Sequence, residues 1–205
     1  SRGGVGKAIT PERLRQIFRE LIDQGAACLD LVTPTHFTPA ILEALGDEVW
    51  PVPVVWNCGG YEDPETLRQM EQLGYLTAAQ LGTRLCGLAD DALFDDENSI
   101  AATLYQESAD LGNLDGKRGL AICYQYGSGV PQSDETAFAL NLELAQANYG
   151  AGVYYEVADA YTDGRGTARN PEQAIYWWNR YLETGSTTFI DPDKVRAKIA
   201  ELEGT

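Results

Sequence analysis

The feature that most constrains this chain is a stretch that returns. Leu120-Ala121-Ile122-Cys123-Tyr124-Gln125-Tyr126-Gly127-Ser128-Gly129-Val130 reappears 37 residues later as Val157-Ala158-Asp159-Ala160-Tyr161-Thr162-Asp163-Gly164-Arg165-Gly166-Thr167. Each copy opens on an apolar residue and alanine, carries tyrosine three residues after the alanine, and ends in Gly-x-Gly. Behind each lies a second helical segment, marked by Ala137 in one copy and Ala174 in the other. A fixed period of this length specifies stacked helical hairpins, each burying its apolar face on its neighbours.

Three copies are expected. The first is worn: Leu81-Gly82-Thr83-Arg84-Leu85 stands for the apolar-Ala-x-x-Tyr pattern, and an acidic segment over residues 90–97 replaces the glycine loop. Its second helix, residues 101–111, carries Leu104, Tyr105, Ser108 and Ala109 and stops at Gly112. The second copy spans residues 113–149 and the third residues 150–185, with a capping helix after them over residues 192–203 and Asp191 at its start. Alanine at 121, 137, 158 and 174 allows close helix approach, and tyrosine and tryptophan fill the space between hairpins. Most of the cluster Tyr154, Tyr155, Tyr161, Tyr176, Trp177, Trp178 and Tyr181 therefore reads as inter-repeat core. Tyr154 and Trp178 are the expected protein-binding residues, projecting onto the concave face.

The residues before position 76 keep another rhythm. Thr10-Pro11-Glu12 starts a helix that Gly25 ends, Ala27 to Val32 reads as a buried strand, and Thr38-Pro39 starts a second helix stopped by Gly46. Val52 to Trp56 is a second strand, and Asp63-Pro64-Glu65 opens a third helix closing at Gly74. Helix-strand-helix-strand-helix with short connections signals parallel strands joined by crossovers. Two strands do not make a self-sufficient sheet, so a homodimer through this segment is one way to complete it. The expected fold class is mainly α, a solenoid of three hairpins and a capping helix over residues 76–205, preceded by a partial barrel-like α/β segment over residues 1–75.

In such units chemistry sits where strands end. Those places are Thr33-Pro34-Thr35-His36 and Asn57-Cys58-Gly59-Gly60-Tyr61-Glu62. His36, the chain's one histidine, is either a base or ligand, or a ring hydrogen-bonded to a loop carbonyl. Cys58 is either a thiolate near a helix amino end or a neighbour of glycines that serve a tight turn.

Ile9-Thr10-Pro11-Glu12-Arg13-Leu14, Leu31-Val32-Thr33-Pro34-Thr35-His36 and residues 53–62 together resemble radical S-adenosylmethionine enzymes of the pyruvate formate-lyase activating type, over residues 3–70. The resemblance implies a cofactor-facing site of Thr33, Thr35, His36, Asn57 and Gly59. That family holds its iron-sulfur cluster with a C-x-x-x-C-x-x-C run, which is absent here. Without cluster thiolates there is no reductive cleavage of S-adenosylmethionine, so the alternative reading needs another chain to supply the cluster. Residues 77–186, in turn, resemble Sel-one-like repeats, relatives of the tetratricopeptide repeat with a Gly-x-Gly loop. Such repeats are binding scaffolds without catalytic machinery of their own.

Charge narrows the partners. Fifteen basic against thirty-one acidic residues give a net charge of -16, with 6 against 11 in residues 1–76 and 9 against 20 in residues 77–205. A chain so acidic repels phosphate backbones, which disfavours nucleic acid and anionic membrane and suits a basic protein or peptide. Cys28, Cys58, Cys86 and Cys123 form no C-x-x-C pair and read as buried free thiols in a reducing, cytoplasmic setting, with no metal site. The expectation is a non-enzymatic interaction scaffold that needs no cofactor.

Overall fold

The computed structural model describes residues 9–33, 37–47, 50–58, 63–74 and 76–204. The chain divides into two compact units, Ser1–Arg84 and Leu85–Thr205. The division falls nine residues beyond the change of sequence character at residue 75/76, inside a helix that runs from Ala78 to Phe94.

In the first unit α1 (Pro11–Asp23) starts where the Thr10 hydroxyl accepts from the Arg13 N–H and proline occupies the first turn. β1 (Leu29–Thr33) and β2 (Val54–Cys58) pair in parallel, Leu29 opposite Val54 and Thr33 opposite Cys58. Both strands lie about two residues later than the apolar runs that mark them in the sequence. Pro53, which has no N–H to give a ladder, instead accepts from the Leu29 N–H through its carbonyl, at 2.9 Å. Between the strands runs α2 (Thr38–Leu45), and after them comes α3 (Pro64–Gln72), capped by the Asp63 carboxylate. Phe18, Leu29, Leu31, Ile41, Ala44, Leu45 and Trp50 form the core of this unit, with Trp50 edge-on to Phe18. Arg15 of α1 donates to the carbonyls of Glu43 and Ala44, supplying donors to the last turn of α2.

The second unit holds helical hairpins whose helices, α4 apart, are each 13 residues long. α4 (Ala78–Phe94) leads into α5 (Asn98–Asp110), α6 (Leu114–Tyr126) into α7 (Asp134–Gln146), and α8 (Ala151–Asp163) into α9 (Pro171–Glu183). Counting back from the helix ends places Ala89, Ala121 and Ala158 at one position, all fully buried. The first copy of the motif is therefore Leu88-Ala89-x-x-Ala92, seven residues beyond the Leu81-Gly82 start that the sequence suggests. Asp90 and Asp91 belong to α4, and only residues 95–97 form the turn, against residues 127–133 and 164–170 in the later copies. α10 (Pro192–Glu203) closes the unit, burying Val195 and Leu202 in a core with Val157, Trp177, Trp178 and Tyr181.

The two glycines of each long loop serve different ends. Gly127 and Gly164 sit at the helix C-caps with φ of 72° and 79°, conformations that disfavour a Cβ. Gly129 and Gly166 also have positive φ, but in addition a Cβ on Gly129 would lie 2.0 Å from the Asn98 carbonyl oxygen, and one on Gly166 2.1 Å from that of Asp134. Asn98 and Asp134 are the first residues of α5 and α7. Each loop thus closes against the opening turn of the preceding repeat's second helix, backbone to backbone.

Candidate functional site

The repeat unit brings side chains of successive hairpins together. No group of three or more His, Cys, Asp or Glu side chains is placed to hold a metal among the described residues. Its polar features lie instead between hairpins. Arg118 of α6 forms a bidentate pair with Glu156 of α8, both bonds at 2.7 Å, and donates to the Asn141 amide oxygen of α7 at 2.8 Å. Asn141 completes the ring by donating to Glu156 at 2.8 Å. The side chains of Arg118 and Glu156 are 20% and 17% exposed and Asn141 is buried. Burial disfavours the guanidinium charge, and the Glu156 carboxylate more than offsets it, holding Arg118 above its ordinary value. A small cleft beside this ring is lined by Gln125, Asp134, Phe138 and Arg165.

One repeat earlier, the same interface is solved differently. Tyr105 occupies on α5 the place that Asn141 holds on α7 and Trp178 on α9. Its hydroxyl donates to Asp90, and its ring occupies the space left by Gly119, where a Cβ would lie 2.4 Å from it. Glu156 stands on α8 at the place of Gly119 on α6. Trp178 in turn lies under Lys198 of α10, whose ammonium is 5.3 Å from the ring centroid and 3.3 Å from Asp159.

Tyr154 and Trp178 do not form the binding surface expected of them. Both are buried: Tyr154 stacks on Trp177 at 5.7 Å beneath Arg180, and Trp178 donates its indole N–H to the Thr162 hydroxyl. Helical spacing put them in the aromatic set, and inter-repeat packing claimed them. The exposed ring of that set is Tyr176, 53% accessible, at the rim of a cleft of about 390 Å³ with Gln146, Asn148, Gln173, Trp177 and Arg180. Among the described large hydrophobic side chains Phe94, at 89%, and Tyr126, at 70%, are the most exposed, and the sequence does not set them apart. Both are the last residues of first helices, a position that is visible once the repeats are aligned from their ends.

The thiols divide. Cys86 and Cys123 are buried, and burial pushes Cys86 up to about 11 and raises Cys123. Cys28, expected to be buried, is exposed because it precedes β1 rather than lying within it. In the first unit Thr33 and Asn57 lie at the carboxyl ends of β1 and β2, on neighbouring rungs of the ladder. Thr35, His36 and Gly59 fall outside the described residues.

The Sel1 repeat family model matches residues 92–113, 115–149 and 143–180, so this part of the chain is similar to Sel1 repeats. A solved Sel1 repeat protein from Oxalobacter formigenes is similar in fold, with a TM-score of 0.50 at 19% identity, over 64% of this chain and 98% of that one. No curated protein matches the chain. Neither likeness supports the resemblance of residues 3–70 to radical S-adenosylmethionine enzymes. Sel1 repeats generally mediate protein–protein interaction, and none of the helices among the described residues is long and apolar enough to cross a membrane.

Proposed function

We propose that this chain is a non-catalytic scaffold whose Sel1 repeats hold a basic protein or peptide. The observation that carries the reading is the coincidence of a repeat built for binding with a strongly acidic composition, 20 acidic against 9 basic residues over positions 77–205. The ion pairs with Glu143, Glu156, Asp159, Glu183 and Asp193 involve five of those twenty carboxylates. On this reading the protein works without a cofactor or metal, in a reducing cytoplasmic setting. A homodimer through the first unit belongs to the same reading, since each strand of its sheet pairs on one side only among the described residues.

The test is a pair of synthetic amphipathic peptides of about 20 residues, long enough for a marginal helix, of equal apolar content, one lysine-rich and one glutamate-rich. Each is titrated by fluorescence anisotropy at low and at physiological salt. Saturable binding of the lysine-rich peptide, weakened by salt, is expected, with none for the glutamate-rich one. Equal binding of both, or binding of neither, would refute the basic-partner reading.

A further inference from the structure

We infer that the partner docks on the loop edge of the repeats, where Phe94 and Tyr126 act as aromatic anchors set among carboxylates for a cationic amphipathic segment. This rests on the scaffold reading above and assigns it a surface. Phe94 ends α4 and Tyr126 ends α6, so the two rings sit at equivalent positions of successive hairpins, on the edge where the first helices hand over to the second. Their exposures, 89% and 70%, contrast with the buried aromatic rings of the inter-repeat core, such as Tyr105 and Trp178. The edge is continuous between them. Gly129, three residues beyond Tyr126, is seated on the Asn98 carbonyl, four residues beyond Phe94, and Ile100 adds a further exposed apolar side chain there.

The charge around this apolar pair fixes the chemistry of the occupant. Asp95, Asp96 and Glu97 come directly after Phe94 and are exposed, and Glu135 stands exposed at the start of α7, where the next loop is seated. Along the same edge the basic side chains are already engaged: Arg165 with Asp159, and Arg169 with the Thr162 carbonyl. A segment that covers the edge must therefore bring its own cations together with apolar side chains for the rings. An aromatic anchor flanked by a complementary rim is the usual anatomy of such a contact, the rings contributing affinity and the charges the on-rate and selectivity. Exposed apolar side chains scattered singly need no such account, but here Phe94, Ile100 and Tyr126 stand exposed along one edge.

The full chain is titrated with the lysine-rich peptide as wild type, as Phe94→Ala/Tyr126→Ala, which keeps every charge, and as Asp95→Asn/Asp96→Asn/Glu97→Gln, which keeps both rings. Exposed positions make these variants neutral to folding, and circular dichroism verifies it. The aromatic variant should bind at least about tenfold more weakly, the loss of a modest anchor, with an unchanged salt slope. The charge variant should bind more weakly with a shallower slope. A control, Tyr176→Ala at the other cleft, should bind as wild type. Unchanged affinity in the first two variants, or loss in the control instead, would overturn this surface while leaving the scaffold reading standing. Absence of binding by the wild type would overturn both.

Discussion

Alanine substitutions in the two Gly-x-Gly loops should separate two reasons for glycine that look identical in the sequence. At Gly127 the cost is conformational: a Cβ in the left-handed region is disfavoured by about 1–2 kcal/mol, and its first neighbour, the Gln132 Cβ, lies at 3.4 Å, within ordinary contact. At Gly129 the same conformational cost applies at φ 74°, and the new carbon would in addition stand 2.0 Å from the Asn98 carbonyl oxygen and 2.8 Å from the Ser99 nitrogen. Those atoms belong to the first turn of α5 and move only with the helix, so overpacking adds about 1–3 kcal/mol. Gly127→Ala should therefore destabilise by about 1 kcal/mol and Gly129→Ala by about 3 kcal/mol. Gly166→Ala should resemble Gly129→Ala, because its Cβ would meet the Asp134 carbonyl at 2.1 Å, whereas Gly164→Ala meets first the flexible Arg169 side chain. Asparagine sharpens the test, since it tolerates left-handed backbone: Gly127→Asn should be nearly neutral and Gly129→Asn as damaging as alanine. Urea unfolding of the full chain, monitored by circular dichroism, reads these differences. Equal costs at Gly127 and Gly129 would refute the seating of each loop on the preceding hairpin.

The same packing and its caps dictate three further outcomes. Arg118→Ala leaves Glu156 and Asn141 without their shared donor in a mostly buried place and should cost about 2–3 kcal/mol, while Arg118→Met/Glu156→Leu should recover most of it. A loss under about 0.5 kcal/mol for Arg118→Ala, read by urea unfolding, would show that the ring contributes no more than an exposed pair. Iodoacetamide at mildly alkaline pH should label Cys28 in the native protein and reach Cys86 and Cys123 only after unfolding, by peptide mass mapping; native labelling of either buried thiol contradicts the enclosure of the repeat interior. Hydrogen bonding from the Thr66 hydroxyl, and from the Thr66 and Glu65 amides, holds the Asp63 carboxyl below its ordinary value. A lowered native value means the cap contributes fully above about pH 4, the unfolded value, and fades as pH falls through the native value. Exchange of the Glu65 and Thr66 amides, corrected for intrinsic rate, should accelerate below that pH and in Asp63→Ala at neutral pH; pH-independent protection would refute the cap's role.

How much of the fold was legible depends on what each residue had to do. The hairpins were, because small residues at Ala121, Ala137, Ala158 and Ala174 and glycines at the turns obey local rules of approach and backbone conformation. The first repeat lies seven residues beyond the start its sequence suggests because its tyrosine position holds Ala92 and its loop is only residues 95–97, with no Gly-x-Gly to mark it. Tyr154 and Trp178 share aromatic character with Tyr126 and Phe94, and only the packing of neighbouring hairpins decides which rings are enclosed. Arg118 and Glu156, 38 residues apart, give no local sign of pairing at all. The second strand of the first unit starts later than the apolar run suggests because Pro53 can accept a bond from β1 but has no N–H to donate, so it lies just before the strand's first residue.

The polar and aromatic interfaces together imply that these repeats are not interchangeable. One position on the second helix is Tyr105, then Asn141, then Trp178, and each meets a different complement on the helix packed beyond it. Tyr105 needs the absent side chain of Gly119, Asn141 needs the carboxylate of Glu156, and Trp178 needs the ammonium of Lys198 on α10. Placing Glu156 opposite Tyr105 would drive a carboxylate into a ring, and placing Gly119 opposite Asn141 would leave a buried amide and Arg118 unsatisfied. In a stack whose stability is the sum of repeat and neighbouring-interface terms, each such mismatch subtracts directly from the total. Order along the stack is therefore specified by the interior, and with it the order of the loops outside. A partner that reads Phe94 on one hairpin and Tyr126 on the next is reading a sequence of surfaces that the buried residues hold in place.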